Sequence, residues 1–263
     1  MKTTKILILL PLLIACEERY ETQFDLTSTE LLAVEAVLTN ENVQQKVRLT
    51  FPYQQLNGNP VPATGAVVRV MDGNSTLYTF TEDPSRPGEY YSTPFRAVFG
   101  VTYTLHIQLN NKDYFAQDSS VPVGPLEPLA YRPVDTQFEL ILNETGSDPY
   151  YIDHQISWLN TSSCTTASCT GRVVFYVLKS IDVNEIYKPG KKQFLFPGGS
   201  TVIRRKYSVS SGYRTYLRSM LSETEWRGSV FDVDRANTAT NLSSGATGFF
   251  AVTTVVADTT LIP

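Results

Sequence analysis

The stretch GVTYTLHIQL at residues 100–109 constrains the fold most. Tyr103, Leu105, Ile107 and Leu109 fall at every second position, with Thr102, Thr104, His106 and Gln108 between them. Side chains alternate across a strand, so this spacing puts an apolar row on one face and a wet row on the other. A helix would scatter both rows around its circumference. The chain must therefore contain a β-sheet with one buried face, and its neighbours must complete that sheet.

The flanking sequence supplies the partners. Residues 31–39, LLAVEAVLT, and 43–51, VQQKVRLTF, read as strands joined by a turn at Asn40 to Asn42. LNGNPVPATG reads as a loop, AVVRVM as a strand, DGN at 72–74 as a turn and STLYTF as the hairpin partner. Asn110 and Asn111 turn the alternating strand into KDYFAQ. This density of short strands predicts a β-sandwich over residues 29–120. Pro122, Pro125, Pro128 and Pro133 then remove ladder donors and mark a joint at residues 121–133.

Residues 134–263 predict a second β-rich domain. TQFELILN and YYIDHQISWL suit pleated surfaces, RVVFYVLK reads as a central strand, and KKQFLF and TVIRRKYSV read as a pair around the turn Pro197-Gly198-Gly199. The period then changes. Tyr213, Tyr216, Leu217, Met220 and Leu221 recur at helical spacing, predicting one short helix near residues 211–226 with Ser210 or Ser211 as its cap and its apolar stripe in a core.

The first residues are an address rather than a fold. Lys2 and Lys5 precede an apolar run from Ile6 to Ile14 that is too short to span a bilayer, the order of a secretory signal over residues 1–15. Leu13, Ile14, Ala15 and Cys16 resemble a bacterial lipoprotein box, which implies lipid attachment at Cys16 and a tether over residues 16–28. Two or three acyl chains would hold the protein on the outer-membrane bilayer. Glu17 and Glu18 resemble the surface-export tag of Bacteroidetes lipoproteins. Loss of Lys2 and Lys5 with the signal takes the net charge from −4 to −6, a balance without general attraction for nucleic acid. Cys164 and Cys169 are then the remaining thiols; an oxidising compartment predicts a disulfide between them, since CxxxxC lacks the spacing and second pair of a zinc site.

Chemistry is sparse. His106 lies on the wet face of its strand and predicts a solvated residue, whereas His154 alternates with Ile152, Ile156 and Trp158 and predicts a buried, hydrogen-bonded histidine. Asp153 points to the opposite face and cannot orient it. No nucleophile elbow, zinc-binding helix, phosphate loop or dinucleotide pattern occurs, and no cofactor or metal is expected. Asp232, Asp234 and Asn237 in FDVDRAN lack the rest of a calcium loop and read as a capped turn. Asp258-Thr259-Thr260 resembles an O-glycan acceptor at Thr259.

Charge is uneven. Residues 186–227 carry nine basic side chains against Glu223 and Glu225. Arg204 and Lys206 share one strand face, with Arg205 on the other, and Arg214 and Arg218 lie one helical turn apart. Lys191, Phe194, Phe196, Arg204, Lys206, Arg214 and Arg218 therefore form a candidate interaction patch for an anionic partner. The alternative is ordinary solvated faces.

The order LLAVEAVLTNENVQQKVRLT, PVPATGAVVRVMDG, PGEYY, FGVTYTLHIQLNNKDYFA, DPYYIDHQISW, GYRTYLRSM and NLSSGATGFFAV resembles the family called domain of unknown function 4249. Ala36 and Phe249-Phe250 depart from it in detail. The resemblance implies a Bacteroidetes outer-membrane lipoprotein with an immunoglobulin-like or transthyretin-like N-terminal domain, encoded beside TonB-dependent receptors. It offers no catalytic residues. The expected function is a non-catalytic surface accessory that acts with such a receptor, or binds a surface glycan, in nutrient uptake. The alternatives are an adhesin or fimbrial-type subunit and a cell-envelope hydrolase built around His154.

Overall fold

The computed structural model describes residues 31–52, 58–165, 169–179, 194–224 and 238–263. Eight strands form the first sheet: β1 (Leu32–Thr39), β2 (Val43–Phe51), β4 (Val67–Asp72), β5 (Leu77–Glu82), β6 (Glu89–Phe95), β7 (Thr102–Leu109), β8 (Lys112–Ser119) and β15 (Ala246–Thr253). Their order is β15-β1-β2-β6-β5-β4-β7-β8, with the two-residue β3 (Val61–Pro62) beside β2. As its period requires, β7 buries Tyr103, Leu105, Ile107 and Leu109, and these pack with Val34, Leu38, Val47, Leu49, Val70 and Phe250. Each such side chain contributes roughly 1.5–3 kcal/mol on full burial. Buried tyrosines keep their hydroxyls paired: Tyr90 donates to Ala63 O at 2.8 Å, and Tyr103 accepts from the Val98 amide at 2.8 Å.

The sheet is almost closed. Ala116 bridges to Leu242, and Asn241 donates to both Gln117 O and Phe250 O at 3.0 and 2.8 Å. Asp118 accepts from the Val252 amide at 2.9 Å, so its carboxylate spans the gap between β8 and β15.

Two smaller sheets follow the proline segment. One has three strands in the order β13-β10-β9: β13 (Leu195–Pro197), β10 (Gln137–Leu140) and β9 (Tyr131–Val134). The other has four, β12-β11-β14-β16: β12 (Thr170–Val177), β11 (Tyr150–Ser157), β14 (Thr201–Ser208) and β16 (Val255–Leu261). The helix α1 (Ser211–Thr224) starts where Ser210 Oγ accepts from the Tyr213 amide at 3.3 Å. Its Tyr213, Leu217 and Leu221 pack against Phe249, Ala251, Val37 and Tyr151, so the helical stripe is core that joins the first sheet to the four-stranded one.

Two expectations require correction. RVVFYVLK is not central: among the described residues β12 pairs with β11 alone and lies at the sheet edge. The segments around Pro197-Gly198-Gly199 are not a hairpin, because β13 pairs with β10 while β14 pairs with β11 and β16. The chain's end occupies the partner's place there: Gly199 N donates to Ile262 O at 3.0 Å, and Ile262 N to Ser200 O at 2.9 Å. Strand pairing also runs across residues 121–133. β15 returns from the second part and pairs in parallel with all of β1, from Leu32↔Ala246 to Thr39↔Thr253.

Candidate functional site

One face of the four-stranded sheet carries an unusual row. His154 on β11 lies opposite Arg204 on β14, which lies opposite Asp258 on β16. Lys206 is two residues along β14 and shares Arg204's face. Residues 123–131 pass over this face. Val123 and Leu126 pack with Tyr150, Ile152 and Val177, while Leu129 and Tyr131 join Ile156, Phe196 and Val202. Between the covering segment and the sheet lies a cavity of about 100 Å³ lined by His154, Arg204, Lys206, Leu126, Leu129 and Phe175 among others.

Every charged group in this row is fixed by the fold. Arg204 is 5 % exposed; its Nε donates to Asp258 Oδ1 at 2.8 Å, and its Nη2 donates to Asp258 Oδ2 and, at 2.9 Å, to Glu127 O. Lys206 is 4 % exposed; its Nζ donates to Pro125 O at 3.0 Å and sits 4.1 Å from the centroid of the Tyr150 ring. Burial lowers the Lys206 pKa below the ordinary lysine value, against the opposing pull of Glu127 and Asp148. The buried His154 meets Val173 O through Nδ1 at 3.1 Å. The arrangement presents positive potential and donors to a small space with apolar walls. That is a geometry for binding.

The opposite face has a different character. Asp153, also buried, pairs with Arg172 at 2.7 Å, and Arg205 reaches Glu41 of the first sheet's β1–β2 turn at 3.3 Å. Tyr151 and Tyr207 stack at 4.5 Å beside Tyr176 and Tyr213, and burial pushes the Tyr207 hydroxyl up to about 12.

The candidate patch on the basic segment is not one surface. Arg204 and Lys206 do share a face, but that face is the covered one, and Arg205 takes the other side. Phe196 is fully buried, and Phe194 is partly buried, its ring over Gly171. Arg214 and Arg218 are half-buried on α1. Lys191 lies outside the described residues, as do Cys16, Asp232, Asp234 and Asn237. Charge on a strand looked solvated in the sequence, and nothing local reveals that a proline segment lies over it.

Cys164 and Cys169 form a disulfide, their Cα atoms 5.5 Å apart. Thr259 is exposed on the edge strand β16, and the neighbouring Asp258 is engaged by Arg204. His106 is partly exposed, meets Asp113 at 2.7 Å and stacks on Phe115. Gln45 was missed. It is 2 % exposed and occupies the apolar row of β2, where a glutamine between Val43 and Val47 was the available signal.

A search of curated proteins returns no match. Among solved structures, a pullulanase from Anoxybacillus sp. LM18-11, crystallised with maltotriose, aligns at 12 % identity with a TM-score of 0.20. The alignment covers 66 % of this chain and 24 % of that one, and at this TM-score it carries no argument about fold or function. The family comparison is of a different order: residues 17–259 match the model described as Domain of unknown function (DUF4249), and the chain belongs to that family.

Proposed function

We propose that this chain is a lipid-anchored outer-membrane protein, displayed on the cell surface, that binds rather than transforms its ligand and acts with a TonB-dependent receptor in nutrient uptake. The observation that carries the reading is the junction at Cys16. The family match begins at Glu17, directly after the lipobox cysteine, so the matched body is what processing at Cys16 would leave. The cavity beneath the proline segment supports a binding role.

A fimbrial-type subunit would need an N-terminal strand that can be removed and exchanged. β1 is hydrogen-bonded on both edges, by β2 and by β15, which favours the accessory reading.

Mass analysis of the mature N-terminal peptide tests the anchor. Acylated Cys16 is expected, and Cys16→Ala should move the protein out of the membrane fraction; an unmodified terminus elsewhere would overturn it. Surface display predicts digestion by protease added to intact cells. Cross-linking on those cells should recover a TonB-dependent receptor, and its repeated absence would remove the receptor from the reading while leaving the anchor intact.

A further inference from the structure

The cavity beneath residues 125–130 holds a cation that ordinary packing does not require. Lys206 is nine-tenths buried, yet among the described residues no carboxylate lies within ion-pairing distance of it. An ammonium has three donors; among the described residues it donates to Pro125 O and lies over the Tyr150 ring, and no group of opposite charge meets it there. Glu127 and Asp148 are exposed and act on it only through space. Burying an ammonium without a counter-charge is costly even with a carbonyl and a ring as partners, so the cavity's free energy improves with an acceptor that brings negative charge.

The walls narrow the class of acceptor. Arg204 is committed to Asp258 and Glu127 O, and it adds donors and positive potential on the same side as Lys206. Leu126, Leu129, Ile152 and Phe175 form an apolar side, while Glu127, Asn143, Thr145 and His154 also border the cavity. The Glu127 carboxylate at the same cavity repels a multiply charged oxyanion more than a monoanion. A single carboxylate with a short tail matches both walls. The cavity, about 100 Å³, is small and limits the tail to a short one.

We propose that this cavity is a binding site for a short-chain carboxylate, whose oxygens accept from Lys206 Nζ and whose alkyl tail lies against Leu126, Leu129, Ile152 and Phe175. The site is independent of where the protein is anchored and of any receptor.

The test uses the purified full-length protein with sodium propionate as probe and sodium chloride at matched ionic strength as reference. Propionate should raise the unfolding midpoint in a saturable way, and saturation-transfer NMR should show its methyl group in contact with protein. Lys206→Met should weaken the response at least about tenfold, the loss of one charge-assisted hydrogen bond. Arg69→Gln removes an exposed charge on the first sheet and should leave the response unchanged. Equal midpoints in propionate and chloride with no saturation transfer would overturn the proposal. So would a response undiminished in Lys206→Met, or one given by inorganic phosphate and absent with propionate. Because each variant is compared with itself, with and without probe, a change in its intrinsic stability does not obscure the result.

Discussion

Arg204 and Asp258 stand directly opposite one another on β14 and β16, and the guanidinium engages both carboxylate oxygens, with Nε to Oδ1 at 2.8 Å. The Arg204 side chain is 6 % exposed and that of Asp258 37 %, so the arginine suffers most if the pair is broken. Asp258→Ala leaves a buried cation without its counter-ion and should cost about 3 kcal/mol, the lower end for a buried pair because one partner reaches solvent. Adding Arg204→Met should recover part of that loss. Urea unfolding of the two single variants and the double variant checks it; additive losses would contradict this account.

Gln45 is the polar hub of the β1–β2 turn. Its Nε2 donates to Thr39 O, Glu41 O and Phe95 O at 3.2, 3.2 and 2.9 Å, and its Oε1 accepts from the Thr39 amide at 3.0 Å. The β2–β6 ladder shifts register between Gln44 and Lys46, and the side chain satisfies backbone groups that the irregularity frees. Gln45→Leu should cost about 2–3 kcal/mol by leaving buried groups unpaired. Faster hydrogen exchange at the Thr39 amide should accompany the loss.

Strands with one wet face were legible from sequence, and β7 is the clearest, because alternation reports the buried side directly. β12 misled because its edge position leaves both faces partly covered. Its FYV run packs Phe175 towards Val123 and Leu126, and Tyr176 towards α1's cluster, which looks like a central strand. Arg204 and Lys206 show a second limit. Alternation placed them together, but period two does not say which face is inside. The pairing of β1 with β15 was beyond any local pattern, since the two strands lie at opposite ends of the sequence. The cavity depends on residues 125–130 folding over β11 and β14, a tertiary event with no periodic trace.

Gly248 makes the parallel β1–β15 ladder possible. Its φ is +94°, and a Cβ there would lie 2.0 Å from Val34 O, inside contact distance of backbone that cannot swing away. Gly248→Ala should therefore cost more than about 3 kcal/mol and open the sheet at β15. Gly65 has a φ of +74° with nothing within 4 Å of a built Cβ, so Gly65→Ala isolates the conformational penalty and should cost only about 1 kcal/mol. Similar losses in thermal unfolding would show that contact with Val34 is not the cause.

Asp118 links β8, β15 and the start of α1 through one carboxylate oxygen, which accepts from the Val252 amide at 2.9 Å and lies 3.4 Å from Ser210 Oγ. Burial raises its pKa above the ordinary aspartate value, and the opposing hydrogen bonds from Val252, Ser119 and Ser210 do not offset it. A carboxyl group with a raised folded-state pKa contributes stability that is fully present below its unfolded pKa and is lost as pH rises through the folded value. The partly buried Glu82, Asp83 and Glu89 are shifted down and act in the opposite sense. The contribution of Asp118 is therefore isolated by difference. Asp118→Asn keeps an oxygen for the Val252 amide but cannot ionise. Its stability relative to wild type should climb as pH rises from the ordinary aspartate range through the raised folded-state value and then level off, followed by urea unfolding at each pH. A difference that stays flat, or that falls with rising pH, would mean that Asp118 is held at or below its ordinary value by the hydrogen bonds that close the sheet.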